Sequence, residues 1–288
     1  MTNDSTYSHA TAARQTPGKR IPFRWGRNLL ILANALICFY LVTPIIVVVI
    51  TSFSADQFMQ FPPSGWSLRW YEIFFEDRRL LNGLWLSVTL AAMTALVAGA
   101  VGSVAAYALH KSRSGFAHFL RSLHSAPLIT PGVVTGLAML IYFSAIGLRG
   151  TFLTLLIGHV VLAIPFVVMI VSAGVKSFDS SIEEAAISLG ANPYVAFLTV
   201  TFPAIKVSMI SGALFAFLNS FDEVVVTLFL PGPRTKTLPV IMFEYVQHNL
   251  DPLPAAISTV LITISVVIVL IAVRVGNIGR LAGAKITH

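Results

Sequence analysis

Six apolar stretches of membrane-crossing length divide this chain and leave it few folds to choose from. They run over 29–52, 81–109, 123–146, 152–175, 207–230 and 254–273. A helix needs about 20 apolar residues to cross the hydrocarbon of a bilayer. A backbone in lipid must also satisfy its own hydrogen bonds, which leaves helices or closed barrels. Continuous apolar runs of this length select helices, so the sequence predicts an all-α, polytopic membrane protein with six transmembrane helices. Composition agrees. The chain is 56% hydrophobic and 11% charged, whereas a soluble domain carries about 25% charged residues. The first run is too long for the apolar core of a secretory leader, and no small-residue cleavage site follows it. It reads as a retained span.

The resulting plan has a polar, Ser/Thr-rich disordered tail over 1–26 and a first transmembrane helix over 27–53. An external loop over 54–80 follows, then a five-helix core over 81–275 and a tail over 276–288. Six spans put both termini on one side. Of the 19 Lys and Arg residues, thirteen fall on that side and six on the other. The positive-inside rule makes both termini cytoplasmic. The net charge of +7 is then a topogenic signal, and with no soluble basic domain a nucleic-acid partner is not expected. A single cysteine, Cys38, excludes an internal disulfide and a thiolate cluster. No HExxH spacing is present, so neither a metal nor a cofactor is expected on this chain.

Several features of the spans and loops read as structural. Trp66, Trp70, Tyr71, Phe74 and Phe75 in the external loop suit a membrane–water interface. Gly99, Gly102, Ser103, Ala105 and Ala106 in the second span suit close helix packing. Pro131 and Pro165 suit kinks.

The segment SIEEAAISLGANPYVAFLTVTFPAI, residues 181–205, is different. Ser181 stands three residues before Glu184, the capping-box spacing. Ile182, Ala185, Ala186 and Leu189 share one helical face, with Glu183, Ile187 and Ser188 opposite. Gly190 suits a left-handed helix stop. Asn192 suits a cap for a second helix with Pro193 in its first turn. A connector needs only a few residues, so a capped helix–turn–helix implies a role. Amphipathic helices on a lipid surface carry Lys and Arg on the polar face. This one carries Glu183 and Glu184, which an anionic leaflet repels, so a protein partner is expected.

A second anomaly is Asp222–Glu223, near the middle of the fifth span. A lipid-facing carboxylate there costs about 2.5–3.5 kcal/mol. The pair therefore implies a water-lined path, a cation partner or protonation. None of the other five spans has a central Lys or Arg, so a cation would come from another chain. Adjacent residues diverge by about 100° on a helix, and Asn219 and Ser220 allow a break just before them.

EAAISLGANPYVAFLTVTFP resembles the EAA signature of ABC importer permeases. Glu184, Ala185 and Ala186 are followed at the family spacing by Gly190, Val200, Phe202 and Pro203. Val and Phe stand where the family usually has Ile and Leu. The resemblance extends to FPPSGWSLRWYEIFF in the outer loop. It extends also to NSFDEVVVTLFLPGPRTKTLPVIMF over 219–243, which is similar to the second, shorter permease of polyamine (spermidine/putrescine) importers. It implies a type I ABC importer permease (MetI-like) fold set in a bacterial cytoplasmic (inner) membrane. It also implies that Glu183, Glu184, Ala185, Ala186, Gly190, Asn192, Pro193 and Pro203 form a coupling element over 181–203. The implied partners are two cytoplasmic ATPase subunits holding ATP and Mg, a second unlike permease, an external solute-binding protein and membrane lipid. For a polyamine, the path would draw on Asp222, Glu223, Phe221, Asn219 and Tyr142, with Glu244 and Tyr245 nearer the entrance.

The chain has no GxxxxGK[ST] and cannot cradle ATP phosphates itself, so it is not expected to be an enzyme on its own. The branch resembled also includes importers of opines, amino acid derivatives and ferric ion. A stand-alone proton-coupled transporter would explain the buried acids but not the capped acidic element. An intramembrane enzyme lacks any recognisable catalytic set.

Overall fold

The computed structural model describes residues 24–112, 114–124, 126–232 and 235–284, with side chains from 27 to 274 apart from 128. The tail expected over 1–26 falls almost wholly outside these residues, as does the end of the tail expected over 276–288. The helices are α1 (Arg24–Ser52), α2 (Arg69–Glu76), α3 (Arg78–Lys111), α4 (Gly115–Leu123), α5 (Ala126–Ile129), α6 (Gly132–Ala145), α7 (Phe152–Ser177), α8 (Ser180–Ser188), α9 (Pro193–Ala196), α10 (Phe202–Phe221), α11 (Leu238–Val246) and α12 (Leu253–Ala284). A π-helical turn, Phe197–Thr201, joins α9 to α10, and a 3-10 turn, Thr227–Phe229, follows α10. No strand occurs among the described residues, where only Ser54 and Trp66 form an isolated bridge. The chain divides into two units, 1–46 and 47–288. The first contributes most of α1, whose Leu29, Phe39 and Tyr40 are exposed.

Five helices are long and apolar enough to cross a membrane: Arg27–Ser52, Arg78–Lys111, Phe152–Ser177, Pro193–Phe221 and Leu253–Arg274. The multi-pass reading stands, but three boundaries move. The span expected over 123–146 is broken into α5 and α6, and α6 has 14 residues. Proline disfavours helical backbone in the residue before it, so the chain turns at Thr130–Pro131. The span expected over 207–230 begins earlier, since helix is continuous from Pro193, and ends at Phe221. The last helix continues to Ala284, so the expected tail is helical as far as it is described. No proline interrupts it, and each added residue gains a hydrogen bond.

The core of the second unit is the packing of α3, α7 and α10, where Ala98, Ala106, Ala163, Val167, Val171 and Ala216 are buried together. Close approach depends on missing side chains. A Cβ on Gly102 would lie 2.7 Å from Val167 Cγ1, and one on Gly99 would lie 3.0 Å from Ala213 Cβ. Without a hydrophobic force between helices in lipid, such contact is what holds them.

The loop over 54–80 is a folded cap. Trp70 and Phe74 are buried with Leu80, Leu238, Ile241 and Ile257, instead of meeting an interface as their aromatic character suggested. Burying Trp requires a partner for its N–H. Trp70 Nε1–H donates to the Ser54 carbonyl at 2.9 Å, and the Tyr71 and Ser52 hydroxyls meet at 2.7 Å. Trp66 and Phe75 remain exposed.

Candidate functional site

Two constellations stand out, one at each end of the α9–α10 rod. At its start lies the α8 element. Its N-cap is Asp179, whose carboxylate accepts from Ser181 N–H at 3.0 Å. The expected capping box of Ser181 and Glu184 is not formed, because the cap falls two residues earlier, at Asp179, which takes the free amide of Ser181. The Asp179 carboxyl is held below its usual range by hydrogen bonds from the Ser181 backbone and side chain. Gly190 ends the helix at φ +94°, a left-handed value that costs other L-residues about 1–2 kcal/mol. Asn192 caps α9 by accepting from Tyr194 N–H at 2.9 Å, with Pro193 in the first turn, as its sequence predicts.

Glu183 has a different role from the expected contact with another chain. It is 1% exposed. Tyr107 Oη donates to its Oε1 at 2.7 Å, Lys111 Nζ pairs with the same oxygen, and Thr201 Oγ1 donates to Oε2 at 2.5 Å. Burial pushes this carboxyl up, but the bonds from Lys111, Thr201 and Tyr107 outweigh it and leave the group below the usual glutamate range. Glu183 therefore ties α8 to the end of α3 and to the π-helical turn. Pro203 accounts for that turn. Its ring would clash with the carbonyl four residues back, and a π-bulge opens the ladder there. The widened turn carries Thr201 to Glu183 and Phe197 to the Tyr107 ring, 4.6 Å between centroids.

With Glu183 inward, the opposite face of α8 is free. Ile182, Glu184, Ala185 and Leu189 are exposed, Leu189 at 90% and the adjoining Tyr194 at 69%. Ala186 is half-buried, so the predicted stripe stands outward except there.

The other constellation is the break at the end of α10. Asp222 (φ −105°, ψ 3°) closes the helix. The charged pair thus lies in irregular backbone and not inside a continuous helix. Asp222 is exposed and Glu223 half-buried, and neither has an ion pair among the described residues. Glu223 Oε1 accepts from Val226 N–H at 2.8 Å and so caps the short turn that follows. The segment after it is wedged between α6 and α7. A Cβ on Gly136 would overlap Phe229 at 2.5 Å, and one on Gly158 would meet Leu230 Cδ1 at 2.7 Å.

Sequence reasoning overlooked a buried polar chain at this break. His159 is 1% exposed. Its Nδ1 lies 2.7 Å from Ser220 Oγ and its Nε2 lies 2.8 Å from Thr227 Oγ1. Ser220 Oγ donates onward to Thr94 Oγ1 at 3.3 Å. A lone histidine in the apolar run of α7 was the available signal.

The remaining path candidates disperse. Phe221 is buried and stacks on Phe217. Asn219 is half-buried. Tyr142 is exposed on α6, where it lines a groove with Thr135, Ala138 and Met139, and no hydrogen bond joins it to Asp222 or Glu223. Glu244 pairs with Lys236 at 2.7 Å. Tyr245 Oη donates to Asp251 at 2.5 Å. Burial and then that carboxylate push its hydroxyl up to about 12. These two acidic and phenolic groups are engaged locally.

Comparison with known proteins follows the same lines. Residues 98–277 match the model of the family described as binding-protein-dependent transport system inner membrane component. The chain is 34% identical over 235 residues to the putrescine transport system permease protein PotI of Escherichia coli (strain K12), covering 77% of this chain and 82% of that one. It is 30% identical over 231 residues to the spermidine/putrescine transport system permease protein PotC of the same organism, covering 80% and 87%. Among solved structures, a bacterial ABC transporter that imports the acidic polysaccharide alginate matches with a TM-score of 0.66 at 16% identity, covering 90% of this chain and 98% of that chain. The inward-facing MetNI methionine ABC transporter matches with a TM-score of 0.60 at 14% identity, covering 69% and 95%. Identity at that level speaks to the fold alone.

Proposed function

Because the chain belongs to the binding-protein-dependent transport system inner membrane component family, as a multi-pass ABC importer permease, we propose that it forms, with a second and unlike permease, the path for a small cationic solute of the polyamine class. ATP is hydrolysed on two cytoplasmic ATPase subunits, and an external binding protein delivers the solute. Both termini and α8 then lie in the cytoplasm, and the α2–α11 cap lies outside. The short α6 completes a sixth crossing with α5 and the turn before it.

The observation that carries this reading is the outward face of α8, with exposed Ile182, Ala185 and Leu189 on a helix anchored from behind by Glu183. An apolar stripe with no cover, on an element locked to two transmembrane helices, is suited to receive a displacement from a soluble subunit. The names of PotI and PotC support the solute class, and so does the exposed Asp222 carboxylate at the helix break. Alginate and methionine carriers share the fold, so the fold does not select the solute.

The test is uptake into vesicles containing the whole complex. ATP-dependent accumulation of putrescine or spermidine, undiminished by excess ferric ion, opine or amino acid, is the expected result. Uptake of one of those competitors with no polyamine uptake overturns the solute class. Uptake by the isolated chain, driven by a proton gradient without ATP, overturns the importer reading itself.

A further inference from the structure

We propose that His159 is a positioning residue that clamps the helix break carrying Asp222 and Glu223, so that the carboxylate exposed there keeps one fixed placement in the solute path. The inference rests on the path reading above and assigns a residue to it that lies outside the path.

The geometry is that of a staple across the break. Ser220 precedes the acidic pair and Thr227 follows it, and the two nitrogens of the imidazole hold one each, at 2.7 and 2.8 Å. The proton order follows from the outer bond. Ser220 gives its proton to Thr94, so its lone pair takes the Nδ1–H of a neutral imidazole. Nε2 then accepts from the Thr227 hydroxyl. Every polar atom of the ring is satisfied, and the chain runs from the irregular segment through α7 and α10 to the midpoint of α3. His159, Ser220, Thr94 and Thr227 are each no more than 3% exposed, so bulk water does not compete for these bonds. A buried polar network of this kind specifies one arrangement of backbone.

The break needs such a clamp. Between Ser220 and Thr227 the backbone has neither a regular helix nor a strand to define it, and Glu223 caps only the turn on its far side. Without the imidazole, α10 is free to extend by a turn into residues 222–226. That change would swing Asp222 away, while the Gly136 and Gly158 contacts keep Phe229 and Leu230 in the fold. His159 touches neither carboxylate, and its effect passes wholly through Ser220 and Thr227.

The test uses the full complex in vesicles at saturating binding protein, with the diamine putrescine as probe. His159→Phe keeps a flat ring, slightly larger than imidazole, and removes both bonds. His159→Asn and His159→Gln each return a polar atom, near the Nδ1 and Nε2 positions respectively. The expected result is normal co-purification and ATP hydrolysis, an uptake rate lowered about tenfold in His159→Phe, as the loss of one or two buried bonds implies, and partial recovery in Asn or Gln. In an Asp222→Asn background the further loss should be under about twofold, because residues acting through one another are not additive. Full multiplication of the two losses overturns the clamp and leaves the path reading intact. Asp222→Asn with wild-type uptake overturns both. If His159→Phe does not assemble, Ser220→Ala and Thr227→Val each remove one end of the staple with little change of volume. Wild-type uptake in both of them overturns the proposal.

Discussion

Asp222 and Glu223 are neighbours in sequence but are held differently, and their replacements should differ accordingly. Asp222 is exposed at the end of α10 with no ion pair among the described residues, whereas Glu223 spends one oxygen on Val226 N–H. Asp222→Asn removes charge from the exposed group, and uptake of putrescine is expected to fall about tenfold or more, the scale of one charged contact. Glu223→Gln retains an acceptor for Val226 and should transport better than Asp222→Asn. Glu223→Ala should lower stability by about 1 kcal/mol, as loss of a cap does, visible as a lower Tm of the purified complex. A larger uptake defect in Glu223→Gln than in Asp222→Asn would reverse these assignments.

At the scale of the element, α8 is anchored through Glu183 on one face and exposed on the other, and docking is proposed for the exposed one. Glu184 is exposed and takes no part in capping, so Glu184→Ala should leave Tm unchanged while weakening co-purification of the ATPase. Equal retention of the ATPase would remove Glu184 from the docking face. Glu183→Gln should do the opposite. It leaves the outward face intact and loses the charge that Lys111 pairs with, so the ATPase should stay bound while solute-stimulated hydrolysis falls. The pH dependence has a definite sign. The folded carboxyl titrates below the ordinary glutamate value of 4.5. Its contribution is therefore complete above that value and is lost as pH falls through the lower, folded one. The Tm advantage of wild type over Glu183→Gln should be constant from pH 7 to about 5 and shrink below about 4.5. An advantage that shrinks between pH 7 and 6 would point to a different titrating group.

At the scale of the whole molecule, the three central helices stand close because α3 presents glycine at the tightest contacts, Gly99 and Gly102. Gly102→Leu would drive a side chain into Val167, already 2.7 Å from where a Cβ would sit. Overpacking of this kind costs about 1–3 kcal/mol, and the purified chain should show a lowered Tm. An unchanged Tm would mean that α7 shifts freely against α3. Orientation is tested by thiol labelling after Cys38→Ser. Leu189→Cys, exposed on α8, should react only from the cytoplasmic side, and Ser64→Cys, in the loop over 54–80, only from the outside. The reverse pattern would invert the topology.

The sequence alone determined the class of the fold, because apolar runs of bilayer length admit little besides helices. It also determined the α8 turn, because Gly190, Asn192 and Pro193 act through backbone preferences that are local. Even the interruption at Asp222 was visible as two charges in an apolar run. Tertiary structure decided the rest, since it depends on which side chains meet across the fold. Glu183 and Glu184 are indistinguishable as letters, and only the approach of Tyr107, Lys111 and Thr201 makes one an anchor and leaves the other outward. His159 read as one scattered histidine until α7 brought it between Ser220 and Thr227, 61 and 68 residues away in sequence. The Trp70 and Phe74 pair, suited by composition to a membrane interface, became core because α11 and α12 closed over it. Periodicity and capping are written within a few residues of one another, whereas partners for buried polar atoms come from distant segments and exist only once the chain has packed.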